Sequence, residues 1–176
     1  ALAAAPKDFE AIRASGSLAF LTGDYVGAIA KYQGLVKSRP RLIVPRIDLA
    51  RALIAGKQPA EAVKVLDPVL KTAPKLAVAN LLRAMAAYAA ATVHLASNET
   101  EDALSDARES CRLWSEVGSP YEAARARVVF ARALREVGDE ESATGELAVA
   151  RSTFVRLAAA PPLAGSPRGT SPESLP

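Results

Sequence analysis

One spacing recurs in the first half of the chain and restricts the possible folds more than any other feature. The interval from Ala28 to Ala62 is the same as the interval from Pro40 to Pro74. A composition rich in alanine explains the first coincidence but not the second. This spacing of about 34 residues indicates a repeated structural unit, with a generic helical bundle as the alternative.

Helix signals dominate the sequence, whereas strand signals are almost absent. Prolines and glycines fall at intervals that divide the chain into helix-sized pieces. We expect eight helices, near residues 8–21, 25–38, 43–56, 59–72, 76–96, 99–117, 120–136 and 139–159. They would form four antiparallel pairs, near residues 9–42, 43–76, 77–118 and 119–159.

The expected helix boundaries depend on residues with known preferences for helix ends. Short polar side chains accept the free amide hydrogens of a first turn, and proline at the first position loses no hydrogen bond. Such residues occur at four predicted starts: Asp24, Pro59, Asn98 and Asp139. Glycine closes a helix in the left-handed conformation without a steric penalty from Cβ. Glycines occur at three predicted ends: Gly23, Gly56 and Gly138.

Length and charge limit the possible functions. The chain has 176 residues, of which 50% are hydrophobic, so it can bury a core of ordinary size. Its formal net charge of +3 is too small to hold nucleic acid through the overall field of the protein. Residues 1–76 carry twelve Lys and Arg against six acids, whereas residues 77–176 carry ten against thirteen. The first half is therefore basic and the second slightly acidic. Because the net charge is small, we expect no direct binding of nucleic acid.

Several positions of the repeated unit agree with one pattern. They are Gly16, Gly23, Asp24, Tyr25, Ala28, Tyr32 and Pro40 in the first unit, and Leu49, Ala50, Leu53, Ala62, Leu66 and Pro74 in the second. This pattern resembles the tetratricopeptide repeat family. The resemblance implies an all-α fold, a right-handed α-solenoid of about four antiparallel helix pairs over residues 1–159. It also implies a non-catalytic scaffold for protein–protein interaction.

The second half keeps the helix pairs but lengthens the interval between corresponding positions. Small and aromatic positions recur at this longer interval: Ala103, Ala107, Ser110 and Trp114 precede Ala143, Leu147, Ala150 and Phe154. Residues 113–161 resemble the long tetratricopeptide repeats of bacterial LuxR-type and cyclase-linked regulators, and residues 9–90 resemble generic bacterial adaptors. The resemblance implies a signalling segment of a bacterial regulator. The alternative is an exported adaptor in envelope, secretion or exopolysaccharide assembly.

In the tetratricopeptide family the first helix of each pair lines a concave groove, which implies a set of binding residues. The set is Arg13, Ser17, Phe20, Ile47, Arg51, Ile54, Leu81, Met85, Tyr88, Val128, Arg132 and Arg135. Such a groove is apolar in its middle and basic toward both ends, and it suits a protein or peptide with apolar anchors and an acidic flank. The alternative is that its apolar members pack against neighbouring helices. The uncapped ends of a solenoid also indicate weak homo-oligomerisation.

The sequence offers no group of residues for catalysis, cofactor binding or metal binding. His94 is the only histidine and has no cysteine, carboxylate or second histidine at ligand spacing. Cys111 is the only cysteine and has no histidine nearby in sequence. No glycine-rich phosphate loop occurs. We therefore expect structural roles for both residues, no enzymatic activity and no cofactor.

The remaining sequence features concern the flexibility of the chain and the location of the protein in the cell. Residues 160–176 are rich in proline, serine and glycine, which predicts a flexible tail. The alanine-rich stretch at residues 84–96 is too weakly hydrophobic to span a bilayer. We expect a cytoplasmic protein. A periplasmic location is the alternative, because the opening "ALAAAP" resembles the end of a cleaved signal peptide.

Overall fold

The computed structural model describes residues 6–159, which fold into eight α-helices without a β-strand. The helices are α1 (Pro6–Leu21), α2 (Tyr25–Ser38), α3 (Ile43–Ala55), α4 (Pro59–Thr72), α5 (Ala77–Ala96), α6 (Thr100–Val117), α7 (Pro120–Glu136) and α8 (Glu140–Ala158). Each end lies within two residues of its predicted position. The all-α fold is confirmed, and the predicted tail at residues 160–176 lies outside the described residues.

Two aspartates begin helices as predicted. The Asp24 side chain accepts a hydrogen bond from the Gly27 backbone amide at 2.8 Å, and Asp139 accepts one from the Ser142 amide at 3.0 Å. Each carboxylate also lies at the positive end of a helix dipole. Pro59 takes the first position of α4, where its missing amide hydrogen costs no helical bond.

One predicted helix start is wrong, and one glycine ends its helix as predicted but with a different backbone conformation. Asn98 does not begin α6, because Glu99 precedes the first helical residue and Asn98 has a left-handed φ of 58°. Gly56 ends α3 but has a negative φ of −78°. The left-handed residue in this turn is Lys57, with a φ of 60°. Asparagine is favoured both at helix starts and in left-handed turns, so its sequence position alone does not separate the two roles.

The helices stack in chain order as an α-solenoid. Every helix packs against its neighbours in sequence, and α5 also contacts both α3 and α7 directly. The second helices of the pairs make no comparable contact with one another among the described residues. The first helices therefore form the closer-packed inner layer, and the second helices form the outer layer.

Small residues at one repeated position allow the helices to approach closely. The alanine that opens the interior side of each second helix is fully buried in all four pairs: Ala28, Ala62, Ala103 and Ala143. Two turns later on each of these helices, a second position is also buried: Leu35, Val69, Ser110 and Ala150. The shorter and the longer interval therefore describe one structural unit, with longer helices in the second half.

The core divides near the middle of the chain. One hydrophobic cluster extends from α1 to the first half of α5 and includes Phe9, Leu35 and Leu66. Two further clusters extend from α5 to α8 and include Trp114 and Phe130. Helix α5 contributes alanines to all three clusters, so it joins the two halves.

Candidate binding groove

The candidate site is the inner layer formed by the first helices, which carries the predicted groove residues. At its beginning, Arg13 Nε donates a hydrogen bond to Asp48 Oδ2 at 2.8 Å. This bond raises the pKa of the Arg13 guanidinium above its ordinary value. Asp48 is only 9% exposed, so removing Arg13 would leave a buried carboxylate unpaired. Arg13 therefore links α1 to α3, in addition to lying on the predicted groove.

A cavity of about 240 Å³ opens beside this ion pair. Its lining consists of Ser17, Phe20, Leu21, Tyr32, Asp48 and Arg51. The hydroxyl groups of Ser17 and Tyr32 share a hydrogen bond of 3.1 Å. The fold thus brings together three of the predicted groove residues, and Arg51 supplies an exposed cation at the mouth of the cavity.

The middle of the groove exposes two large apolar side chains. Leu81 and Met85 lie one turn apart on α5, and each is 39% exposed. On the next turn, the guanidinium carbon of Arg125 lies 5.1 Å from the centroid of the Tyr88 ring. This cation–π contact joins α5 to α7 and helps to order the apolar centre.

The far end of the groove is basic. Arg132 is exposed, whereas Val128 is half-buried. Arg135 Nε donates a hydrogen bond to Glu140 Oε2 at 2.9 Å, which turns that guanidinium toward α8. Among the described residues, Arg51 and Arg132 form no ion pair. These two cations are therefore available to a bound acidic group.

Two predicted groove residues have less surface than the sequence indicates. Ile47 is 8% exposed and belongs to the first core cluster. Ile54 is partly buried and packs against the same cluster. Both side chains stabilise the stack of α3 against its neighbours, so the accessible apolar surface is concentrated on α5.

Three inner residues were missed by the sequence analysis: Leu21, Asp48 and Arg125. Arg125 follows Met85 at the longer interval, so that interval contained the signal for its position. Leu21 and Asp48 each follow a predicted site residue directly, and only the structure shows that both line the same cavity. No sequence interval indicated that Asp48 would pair with Arg13.

Away from the groove, the fold places two carboxylates beside His94, an arrangement that no spacing in the sequence predicted. Nδ1 of His94 lies 3.0 Å from Asp106 Oδ2, and Nε2 lies 3.4 Å from Glu99 Oε2. Burial raises the pKa of Asp106, and the neighbouring His94 opposes that change. No group of three metal-ligating side chains suited to a metal ion occurs in residues 6–159.

Cys111 is half-buried, and burial raises the pKa of its thiol to about 11. A thiol with so high a pKa is almost entirely protonated at neutral pH and is a poor nucleophile. The structural role expected for this residue agrees with that environment.

Comparison with known proteins identifies the repeat. The sequence profile of the tetratricopeptide repeat family matches residues 19–87. Residues 19–87 have the sequence pattern of tetratricopeptide repeats. The match extends from the end of α1 into α5, which includes Arg51 beside the cavity and the exposed pair on α5.

Solved structures show a similar fold over most of the chain. The structure of MamA, residue 41 to the end, from Desulfovibrio magneticus RS-1 is 19% identical in sequence, with a TM-score of 0.59. The RS-1 MamA ArsTM double mutant is 19% identical, with a TM-score of 0.60. Each match covers 86% of this chain and 78% of the other. At this identity the likeness concerns the fold alone, and no curated protein matches the sequence.

The tetratricopeptide fold supports a role as a protein-interaction scaffold. In residues 6–159, no helix has the length and apolar character needed to cross a membrane. The inner layer described above exposes apolar side chains, and its cations Arg51 and Arg132 form no ion pair among the described residues.

Proposed function

We propose that this chain is a non-catalytic scaffold that binds a peptide or a helix of a partner protein in its concave groove. One observation carries the proposal: an exposed apolar pair, Leu81 and Met85, lies in the inner layer between Arg51 and Arg132, which form no ion pair among the described residues. Exposed apolar side chains framed by charged residues mark interaction sites. The arrangement suits a ligand with an apolar anchor and acidic residues on either side.

The energies of these contacts set the expected affinity. Covering the exposed parts of Leu81 and Met85 contributes about 1 kcal/mol for each side chain. The rim arginines add salt-dependent contacts that mainly increase the association rate and the selectivity for acidic ligands. We therefore expect a peptide affinity in the range of about 1 to 100 µM, weakening as salt increases.

The test uses the full chain of 176 residues as bait for a random peptide library displayed on phage. Selected peptides are synthesised, and their dissociation constants are measured by fluorescence anisotropy. Arg51→Glu/Arg132→Glu reverses both groove charges, whereas Lys64→Glu/Lys71→Glu reverses two exposed charges on α4 and is the matched control. We expect the groove variant to weaken binding at least tenfold and the control variant to change it less than twofold.

The proposal fails if no peptide is selected, or if both charge-reversed variants bind equally well. A third variant, Met85→Glu, separates the apolar contribution from the charges. It should weaken binding even at high salt, because its effect comes from the lost apolar contact. Circular dichroism of each variant must show unchanged helix content, since these side chains are exposed.

The biological setting proposed for this activity is a bacterial regulator in the cytoplasm. The long repeats of the second half, with their longer interval, support this proposal. The alternative is an exported adaptor in envelope, secretion or exopolysaccharide assembly in the periplasm. Fractionating cells that produce the native gene product separates the two, because a regulator stays with the cytoplasmic fraction and an exported adaptor does not. In both settings the proposed ligand is protein rather than nucleic acid.

A further inference from the structure

The side of α1 that faces away from α2 is an apolar surface at one end of the stack, and the described residues leave it uncovered. Leu18 is 64% exposed on this side, and Leu21, which also lines the cavity, is 81% exposed. The positions that correspond to Leu18 in the next two repeats are Ala52 and Ala86, and both are fully buried. They lie on α3 and α5, which each pack against a preceding second helix. Helix α1 presents the corresponding face, but no preceding helix among the described residues packs against it.

The contact between α2 and α3 shows what covers this face inside the chain. Ile29 of α2 projects onto the end of α3, where its Cδ1 would lie 3.1 Å from a Cβ placed on Gly56. Thr22 is the residue after α1 that corresponds to Gly56. A helix covering α1 in the same way would therefore place a side chain between Leu18 and Thr22.

The free side of α8, at the other end of the stack, differs from the second helices that precede it. Ile29, Val63 and Leu104 correspond to Thr144, and Val36, Leu70 and Cys111 correspond to Arg151. Thr144 and Arg151 are exposed, and Val155 beside them is 62% exposed. At both positions α8 is thus more polar than the earlier second helices, which carry apolar side chains there. At the position of Thr144 its side chain is also smaller than Ile29 or Leu104.

These differences are complementary to those on α1. Ile29 and Ala52 are both buried on α2 and α3, which pack together, and the corresponding positions on the two end faces are Thr144 and Leu18. A large residue on one helix would then compensate for a smaller one on the other, which preserves the packed volume. The two end faces therefore match in size although neither matches its internal counterpart.

The charges also complement each other. Consecutive helices of this solenoid run antiparallel, so the last turns of α8 would meet the first turns of a following α1. Arg151 and Arg156 are exposed on the second half of α8, and Asp8 and Glu10 are exposed on the first half of α1. Neither Asp8 nor Arg151 forms an ion pair among the described residues. Opposite charges in this arrangement favour one orientation of contact.

We propose that this chain associates head to tail, with α8 of one copy packing on α1 of the next copy and continuing the solenoid. Such a contact joins two different surfaces and leaves both ends of the assembly free, so it forms chains of variable length. A helix of 16 residues is about 24 Å long and about 10 Å wide, which gives an interface below the standard size. The association is therefore weak and depends on protein concentration.

The test is sedimentation velocity of the full chain between about 10 µM and 1 mM, the range that suits an interface of this size. The wild type should show a weight-average sedimentation coefficient that rises steadily with concentration. Leu18→Glu blocks the α1 face, and Arg151→Glu/Val155→Glu blocks the α8 face. All three positions are exposed, so both variants should fold and remain monomeric. Lys64→Glu on α4 is the control and should associate as the wild type does.

A mixture of the two blocked variants gives the decisive result. Each variant keeps one intact face, so an equimolar mixture should form dimers and nothing larger. If α1 instead pairs with α1 of another copy, the α8 variant dimerises alone and mixing adds nothing, which overturns the proposal. A wild type that stays monomeric throughout, or a Leu18→Glu variant that associates normally, also overturns it. The groove variant Arg51→Glu/Arg132→Glu should associate normally, so failure here is separate from failure of peptide binding.

Discussion

Gly16 marks the tightest contact between the first two helices. A Cβ at this position would lie 2.8 Å from Cε1 of Tyr32, and the hydroxyl of Tyr32 is held by Ser17 at 3.1 Å. Tyr32 is 3% exposed, so its ring has little room to move away. The glycine is therefore required by close approach rather than by backbone conformation, because Gly16 lies inside α1.

We expect Gly16→Ala to lower the free energy of unfolding by about 1–3 kcal/mol, because the added methyl group overpacks the interface. The measurement is urea unfolding followed by circular dichroism at 222 nm. Gly34→Ala is the matched control: Gly34 is also helical, and a Cβ there meets no atom within 4 Å. It should raise the free energy of unfolding by about 0.5–1 kcal/mol, since alanine favours the helix. Equal effects from the two substitutions would contradict this account of the contact.

Cys111 gives a second prediction at this scale. Burial raises its thiol pKa to about 11, so the reactive thiolate is scarce in the folded protein at pH 8. Alkylation by iodoacetamide at pH 8 should be roughly a hundredfold slower in the folded protein than in urea, where the ordinary pKa is about 8.5. Mass spectrometry measures both rates. Similar rates in the two states would show that the thiol is not buried and that its pKa is not raised.

At the scale of the helices, the sequence predicted nearly everything that depends on local chemistry. Starts at Asp24 and Asp139 follow from side chains that accept amide hydrogens within three residues. The error at Asn98 and the unexpected backbone at Gly56 occur where more than one local conformation is favourable. Helix limits could therefore be predicted, whereas the conformation inside two of the connecting turns could not.

The capping bond of Asp139 makes the stability of α8 depend on pH. The hydrogen bonds from Ser142 lower the pKa of Asp139 below its ordinary value of 3.8. A carboxyl group with a lowered folded pKa stabilises the protein above its unfolded pKa and loses that effect as pH falls through the folded pKa. The melting temperature of Asp139→Ala should therefore lie below that of the wild type at pH 7, and the difference should shrink below about pH 4. A difference that stays constant down to about pH 2.5 would contradict the capping role.

The residues that line the groove were harder to predict than the helix limits. They depend on the rotation of each long helix about its own axis relative to its neighbours. Helices α5 and α7 exceed the first-half helices in length, so more than one turn can face inward. The shorter register selected Leu81 and Met85 but not Arg125, which follows Met85 at the longer interval. Ile47 was assigned to the groove from its position in the repeat alone. Only the packing of α3 between its neighbours shows that this side chain is buried.

At the scale of the whole molecule, residues 6–159 form a stack of helices in two layers that differ in their exposed side chains. Each outer helix buries an alanine against the inner helices, and the inner helices expose apolar and basic side chains. Helix α5 carries both the junction between the core clusters and the exposed pair Leu81 and Met85. The proposed binding surface and the junction between the two halves therefore share one helix.

The most direct test of the central claim is to map the binding surface by NMR. Amide spectra of the isotope-labelled full chain are recorded with and without a peptide selected for binding. The account predicts that the perturbed residues cluster on the inner faces of α1, α3, α5 and α7, with the largest shifts near Met85. Perturbations confined to α2, α4, α6 and α8 would show that the partner binds the outer layer, and the concave groove would then not be the binding site.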